Sequence, residues 1–489
     1  MARGDRYDLV VLGGGTGGLV SARIAAAAGA RVALIERERT GGDCLWTGCV
    51  PSKALLAAAE LAHRMRHAGS VGLTPVEPDI DFAAVMGHVH AARQAIAPDV
   101  SPGRLRAEGI DVIPAEGSFL ARGVVAAGAR QLHCRAAIIA TGSQPMMPPI
   151  DGLGAAEPLT NETLWDLETL PGRLVILGGG PIGCELGQAF ARLGSRVTLV
   201  EMTDRLLVKE EPRASALIAQ VLAEEGVELR LGSPAKQVTK HAAATRLVVG
   251  AQELAFDRLL IAAGRSPSID GLGLDVIGVR TDDRGAIVVD ERLRTTARGV
   301  YAVGDVTGAL PFTHVAAYHA RVAAPNALFG LRRTVDYGAV PWATFTDPEV
   351  GRVGLTEQAA RERWGDRAIV AEFDYVASDR AITAGRARGF AKLVGDHRGR
   401  LVGATVAAPA GGEVIAELAA HVAARAKIDA VSRQVHAYPT LAEGPARAAD
   451  QHVTRKLLSR RMRLVTRPAL AALRAMDAGA RAAAPDRER

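Results

Sequence analysis

Val10-Val11-Leu12-Gly13-Gly14-Gly15-Thr16-Gly17-Gly18 opens a segment that closes at Leu34-Ile35-Glu36. A second segment, Val175-Ile176-Leu177-Gly178-Gly179-Gly180-Pro181-Ile182-Gly183, closes at Leu199-Val200-Glu201. The two match without a gap at an offset of 165 residues. Gly13 pairs with Gly178, Gly15 with Gly180, Gly18 with Gly183, Gly29 with Gly194, Arg31 with Arg196 and Glu36 with Glu201. Each copy reads as strand, glycine turn, helix, strand, acid. The glycines serve a tight turn, close backbone approach to a pyrophosphate and helix-on-strand packing, and the phosphates meet the positive end of the helix. The acid about 20 residues on is placed for a ribose hydroxyl. One such turn also arises for structural reasons alone, but two full copies point to two dinucleotides. A flavin and a nicotinamide are the pair that exchanges a hydride.

The first copy runs directly into Gly41-Gly42-Asp43-Cys44-Leu45-Trp46-Thr47-Gly48-Cys49-Val50-Pro51-Ser52-Lys53. Two cysteines separated by four residues can close a redox-active disulfide. Pro51 suits a first helical position, so the spacing predicts a helix from Pro51 through Leu61 whose positive end faces Cys49. That field and Lys53 lower a thiolate pKa. For the spacing alone, the alternative is two buried thiols packed as small hydrophobes. Cys134 and Cys184 have no near partner in sequence and read as core filling.

Four cysteines in 489 residues make no structural disulfide framework, so a bridge here is expected to be catalytic and the compartment cytoplasmic. No signal-like pattern precedes Tyr7, and no apolar run reaches the roughly 18 residues needed to span a bilayer. The net charge is +6, but residues 452–489 carry ten Arg or Lys against three acids, +7 in all, which leaves −1 for the rest. The core therefore has no basic footprint for nucleic acid. The tail's Leu458, Met462 and Val465 follow helical spacing, Pro468 interrupts, and Leu470 and Leu473 resume. Packing on its own protein or a partner subunit is favoured there over contact with a membrane surface.

Ala136–Ala140 reads as a strand ending in Thr141-Gly142-Ser143, and Leu259–Ala262 as one ending in Ala263-Gly264-Arg265. Both are expected crossing points between nucleotide domains. Gly299–Val303 closes on Gly304-Asp305, where a carboxylate can accept hydrogen bonds from a polyol, a helix N-cap being the alternative. Beyond Pro341, apolar segments at Pro341–Phe345, Phe373–Val376, Phe390–Val394 and Leu401–Ala407, with a helical stretch Gly412–Ala426, predict an α+β region with a mostly antiparallel sheet.

With the paired fingerprints, the Cys-x4-Cys run and the closing segment His436-Ala437-Tyr438-Pro439-Thr440-Leu441-Ala442-Glu443-Gly444 in order, the chain resembles the flavin-dependent pyridine nucleotide-disulfide oxidoreductases. That family includes dihydrolipoamide dehydrogenase, glutathione reductase and mercuric reductase, and the likeness covers residues 7 to about 450. It implies an α/β chain with two Rossmann-like dinucleotide-binding domains and an α+β C-terminal dimerisation domain. The implied division is an FAD domain in two parts (1–150 and 271–340), an NAD(P) domain (151–270), a dimerisation domain (341–451) and a basic tail (452–489). FAD is assigned Gly13, Gly15, Gly18, Glu36, Thr141, Gly142, Gly304 and Asp305, with Glu36 on the adenosine ribose. NAD is assigned Gly178, Gly180, Gly183, Glu201 and Gly264. The resemblance makes Cys49 the sulfur nearest the flavin, Cys44 the interchange sulfur, and Lys53 with Glu185 an ion pair beside the flavin. It also implies a homodimer. No resident metal is expected.

Glu201 favours NADH, since a carboxylate there binds a free 2′-hydroxyl and repels a 2′-phosphate; Arg205 nearby leaves NADPH open. Members that reduce organic disulfides carry a histidine before the proline of the closing segment, with a glutamate five residues later. Here Tyr438 stands in that place with Glu443 in register, so the usual acid–base group, worth ~10² to 10⁴ in rate, is replaced. His436 is a possible substitute base, and an interface histidine is the alternative. Tyrosine there resembles mercuric reductase, although the tail lacks that enzyme's terminal cysteine pair. Asp43, Trp46 and Thr47 replace the commoner Thr, Asn and Val of the loop. The leading expectation is an NADH-dependent, mercuric-reductase-like flavoenzyme that passes electrons through Cys44 and Cys49 to a metal ion, a quinone or a disulfide. The alternatives are a dihydrolipoamide dehydrogenase with an altered base, and a catalytically silent flavoprotein docking through its tail.

Overall fold

The computed structural model describes residues 5–241, 244–458 and 460–482. The chain divides into two compact units, one running to Val340 and taking in Thr344–Asp347, the other made of Pro341–Ala343 and the chain from Pro348 onward.

In the first unit a seven-stranded sheet is built on Arg6–Leu12. Its neighbours on one side are Val32–Glu36 and then Ile110–Pro114, all parallel. On the other side lies Arg130–Ile139, which runs parallel to Arg6–Leu12 and to Val300–Ala302 and pairs antiparallel with Val124–Ala127. The continuous apolar run Leu9–Leu12 suits a strand covered on both faces. Its side chains alternate accordingly: Leu9 and Val11 pack with Leu19, Ala22 and Ala25 of the helix Thr16–Ala27, and Val10 and Leu12 pack with Phe119, Leu132 and Val306.

The second nucleotide fingerprint forms its own parallel sheet in the order Glu228–Arg230, Arg196–Val200, Arg173–Leu177, Arg258–Ile261. An antiparallel meander, Ala235–His241, Ala244–Val249 and Gln252–Phe256, lies between the last two strands in sequence and was not foreshadowed by any repeat. The predicted crossing points meet: Ser143–Pro145 pairs antiparallel with Arg265–Pro267 in a two-stranded ribbon.

In the second unit a five-stranded sheet has the order Pro341–Thr344, Glu349–Gly354, Leu401–Ala408, Phe390–Gly395, Ile369–Asp374, antiparallel from Glu349–Gly354 onward. The strand Glu349–Gly354 has no counterpart among the predicted segments, because its glycines and charges break the alternation. Helices Gly411–Ala423, Ile428–Arg433 and Glu443–Leu457 cover the core around Tyr375, Leu393 and Val406.

Three expectations change. The strand read at Phe373–Val376 runs instead over Ile369–Asp374, and Tyr375–Ala377 forms a single helical turn. The helix after the cysteine loop begins at Cys49, with Pro51 at its third position, and its first closing bond runs from Ser52 N to Gly48 O at 3.1 Å. A proline costs nothing there, because the first-turn N–H groups have no intrahelical partner. In the tail, the helix Arg460–Ala482 runs through Pro468. One proline removes one donor and can kink a helix without ending it. Arg487 and Arg489 lie outside the described residues, and the side chain of Val465 is likewise not described. No helix among the described residues is long and apolar enough to cross a membrane.

Candidate active site

The two glycine turns coincide atom for atom in their bonding. Gly13 N donates to Ile35 O and Gly178 N to Val200 O, both at 2.8 Å. Gly14 N donates to Glu36 Oε2, and Gly179 N to Glu201 Oε2, both at 2.6 Å. Gly13 and Gly178 have φ of +102° and +114°, where a Cβ would also strike the carbonyls of Ala140 and Ala262. At Gly18 and Gly183 a Cβ would run into the carbonyls of Gly13 and Gly178, so helix and turn can approach only through glycine.

Gly15 and Gly180 differ. Their backbones are extended, at φ −75° in both, and any residue adopts that conformation. A Cβ at Gly180 would meet no protein atom within 4 Å, and one at Gly15 only the Gly42 Cα at 3.9 Å. Protein packing does not require glycine there; a phosphate brought against the backbone does. Both positions begin a helix with no side-chain cap, which leaves the first-turn N–H groups to an anion. The residues present therefore fit two dinucleotides. Glu201 Oε1 further accepts from Thr203 N at 2.8 Å and Thr203 Oγ1 at 2.9 Å, while Arg205 donates to the carbonyls of Val208 and Glu210. Arg205 is thus occupied away from the Glu201 carboxylate.

Cys44 lies on a short helix, Gly42–Trp46, and Cys49 is the first residue of the helix Cys49–Arg66. Cys49 Sγ stands 3.5 Å from Thr313 Oγ1, and Thr313 is itself the first residue of the helix Thr313–Phe329. Two helix N-termini thus converge on one sulfur, which favours a negative charge on it. The hydrogen bond from the Cys44 thiol, then the Thr313 hydroxyl and the Lys53 ammonium, hold the Cys49 thiol down to about 6. Cys44 moves the opposite way, pushed up by its hydrogen bond to Cys49 and then by burial. The pair is therefore polarised, with the negative charge on Cys49 and the proton on Cys44. Cys184 is fully buried and its thiol is pushed up by burial, and burial raises Cys134 to about 11, which suits core filling for both.

Lys53, one turn along from Cys49, reaches the buried Glu185 at 2.8 Å. The other Glu185 oxygen accepts from Phe345 N at 2.9 Å, and the Phe345 ring lies 4.3 Å from Lys53 Nζ. The cysteine loop is held from the ribbon as well. Arg265 ion-pairs with Asp43 and donates to Ser143 Oγ at 2.7 Å, Ser143 O at 2.6 Å and Asn161 Oδ1 at 3.0 Å. Ser143 Oγ in turn donates to Asp305 Oδ2 at 2.7 Å. Asp305 sits inside the turn Gly304–Thr307 and caps no helix, and burial pushes its carboxyl up. Thr141 and Gly142 precede the ribbon strand Ser143–Pro145, with Thr141 Oγ1 donating to Ser268 O at 2.7 Å, and Gly264 precedes Arg265 on the opposite strand.

In the second unit, Tyr438 is 68% exposed and donates its hydroxyl to Asp379 Oδ2 at 3.0 Å. That hydrogen bond pushes the phenol pKa up, so the proton stays on the tyrosine. Arg447 bridges Asp379 at 3.3 Å and Glu443 at 3.6 Å, and Glu443 Oε2 is buried with no hydrogen-bond partner among the described residues. Glu443 thus pairs with Arg447, one helical turn on. His436 is engaged at both ring nitrogens, with Glu417 at 3.0 Å and the Gln434 carbonyl at 3.0 Å, which suits a structural histidine rather than a free base. Gly444 is required by Tyr375, whose hydroxyl a Cβ there would strike. Among the described residues no group of three His, Cys, Asp or Glu could hold a metal ion. Sequence reasoning missed Thr313, Arg265, Ser143, Asp379 and Arg447. Ser143 and Arg265 stood in the two quoted interruptions but carried no site role there.

A model of the pyridine nucleotide-disulphide oxidoreductases matches residues 7–320, and a model of their dimerisation domain matches residues 340–449. A mercuric reductase of Streptomyces lividans is 38% identical over 464 residues, covering 91% of this chain and 96% of its own. A dihydrolipoyl dehydrogenase of Thermus scotoductus is 37% identical over 453 residues, covering 91% and 97%. Among solved structures, the Cu(II) complex of the HOCl-induced flavoprotein disulfide reductase RclA from Escherichia coli superposes with a TM-score of 0.82 at 30% identity, over 91% of this chain and 99% of that one.

Proposed function

The chain belongs to the pyridine nucleotide-disulphide oxidoreductases, whose members depend on FAD and NAD(P)H, and on that premise we propose that it is an NADH-dependent, mercuric-reductase-like enzyme. Its electrons would leave through Cys44 and Cys49 to a metal ion, a quinone or a disulfide other than lipoamide. When bound, FAD and NADH supply hydride transfer from the nicotinamide and delivery of an electron pair to the sulfurs. Gly13, Gly15, Gly18, Glu36, Thr141, Gly142, Gly304 and Asp305 would hold the first cofactor, and Gly178, Gly180, Gly183, Glu201 and Gly264 the second.

Reduction of a Cys44–Cys49 disulfide by an electron pair breaks the S–S bond. One proton goes to the Cys44 sulfur, and Cys49 remains a thiolate held by Thr313, the Cys44 thiol and Lys53. Lys53, anchored by Glu185, supplies positive charge beside that thiolate. Cys44 is then the sulfur that can be presented to an acceptor. The observation that carries the choice of acceptor is Tyr438. Its hydroxyl is hydrogen-bonded to Asp379 and its pKa is raised, so it is no general base at neutral pH. An acceptor that needs no proton from that position, such as a metal ion, suits this arrangement best.

A second reading, dihydrolipoyl dehydrogenase, is favoured by relatives of that name at nearly equal identity. An acceptor panel with NADH and the purified flavoprotein separates the two: Hg(II), Cu(II), quinones and oxidised glutathione against lipoamide. Slow lipoamide turnover that rises at least tenfold in Tyr438→His supports the proposal. Fast wild-type turnover unaffected by the substitution overturns it.

A further inference from the structure

The helix Arg460–Ala482 lies beyond the residues that the family models match, the second of which ends at 449. The relatives match over 96–97% of their own length with 91% of this chain, so the likeness to them does not extend over this segment. At about 100° per residue, Arg463, Arg467 and Arg474 fall on one stripe, and Met462, Ala469, Leu473 and Met476 fall on the roughly opposite one. Arg463, Arg467 and Arg474 are exposed. Leu473 is 56% and Met476 70% exposed, and Leu464 and Leu470, which flank the arginines, are 71% and 49% exposed. Within one chain these apolar side chains stay uncovered, so of the two expected contacts, its own protein or a partner subunit, the first does not account for them.

We propose that this helix lies along an anionic phospholipid surface, with Leu473 and Met476 entering the acyl boundary and Arg463, Arg467 and Arg474 meeting lipid phosphates. A second copy of the chain is a poorer occupant. It presents an equally basic tail of net +7, which repels this one, and the remainder of the chain sums to −1, so it offers the arginines little net attraction. A nucleic acid would satisfy the arginines and leave Leu473 and Met476 in water. An interfacial helix uses both faces, and it needs no spanning length.

The test uses the full-length holoenzyme with sedimented vesicles of phosphatidylglycerol mixed with phosphatidylcholine, and of phosphatidylcholine alone. Binding is expected only to the anionic vesicles and is expected to fall as salt rises and shortens the screening length. Replacing Arg463, Arg467 and Arg474 by Gln should weaken binding by roughly fivefold per arginine, on the order of a hundredfold together. Leu473→Ser with Met476→Ser should weaken it at least tenfold with the arginines intact. NADH-driven ferricyanide reduction and flavin content, unchanged in both variants, show that neither has unfolded. Equal sedimentation with neutral vesicles, or no loss in the Leu473 and Met476 variant, overturns the proposal. Binding of duplex DNA as tight as that of anionic vesicles also overturns it, in favour of a polyanion partner.

Discussion

In reduced enzyme, Cys49 should ionise far below an ordinary thiol, and the size of the effect follows from its surroundings. A thiol pKa of about 6 against the usual value near 9 is about a thousandfold in ionisation constant. The folded value is depressed, so the thiolate dominates at every pH above about 6 and is lost as pH falls through that value. At pH 7 Cys49 would be mostly thiolate, where an unperturbed thiol is mostly protonated. Alkylation with iodoacetamide under anaerobic reducing conditions, mapped by mass spectrometry, reads this directly. The alkylation rate of the reduced pair should follow a titration centred near pH 6, while Cys184, raised by burial, stays unreactive there. The causes rank the variants. Cys44→Ala removes the largest contribution and should move the midpoint up most, Thr313→Val less, and Lys53→Met least, because Glu185 partly cancels that ammonium at Cys49. A midpoint near 9 in wild type, or a larger shift from Lys53→Met than from Cys44→Ala, would refute this account of the sulfur pair.

Lys53→Met leaves Glu185, whose side chain is 7% exposed, without its cation. Chemical denaturation should show a loss of about 2 kcal/mol, moderated because Lys53 is itself partly exposed. The glycines of the second turn should separate by role. Gly183→Ala forces a Cβ into the Gly178 carbonyl and should destabilise by about 1–3 kcal/mol. Gly180→Ala meets nothing within 4 Å, so thermal stability should hold within about 0.5 kcal/mol while KM for NADH rises roughly tenfold; an unchanged KM contradicts the phosphate assignment. Glu201→Ala should narrow the ratio of kcat/KM for NADH over NADPH, and a wild-type preference for NADPH would remove the role given to that carboxylate.

The duplicated fingerprints were legible because each part is local. A strand, a glycine turn and an acid at a set distance leave their marks within 27 residues, and those marks survive as hydrogen bonds of equal length in the two copies. The ribbon at Ser143 and Arg265 was legible as two interruptions, although their pairing joins positions 122 residues apart. The strand Glu349–Gly354 was missed for the opposite reason, since its place in the sheet is decided by its partners rather than by its own alternation.

The sequence by itself determined that there are two nucleotide turns, that a cysteine pair follows the first, and that a tyrosine stands where a base is usual, because covalent order and side-chain chemistry carry those facts. The sequence already aimed one helix end and Lys53 at Cys49; only the tertiary structure decided that a distant element also holds the charge there and that Cys44 keeps the proton. That depends on Thr313, 264 residues away, whose hydroxyl and helix end reach Cys49, and on the hydrogen bond that leaves the proton with Cys44. It likewise decided that Tyr438 gives its hydroxyl to Asp379, which raises the phenol pKa, and that His436 is held by Glu417, because both partners come from distant parts of the chain.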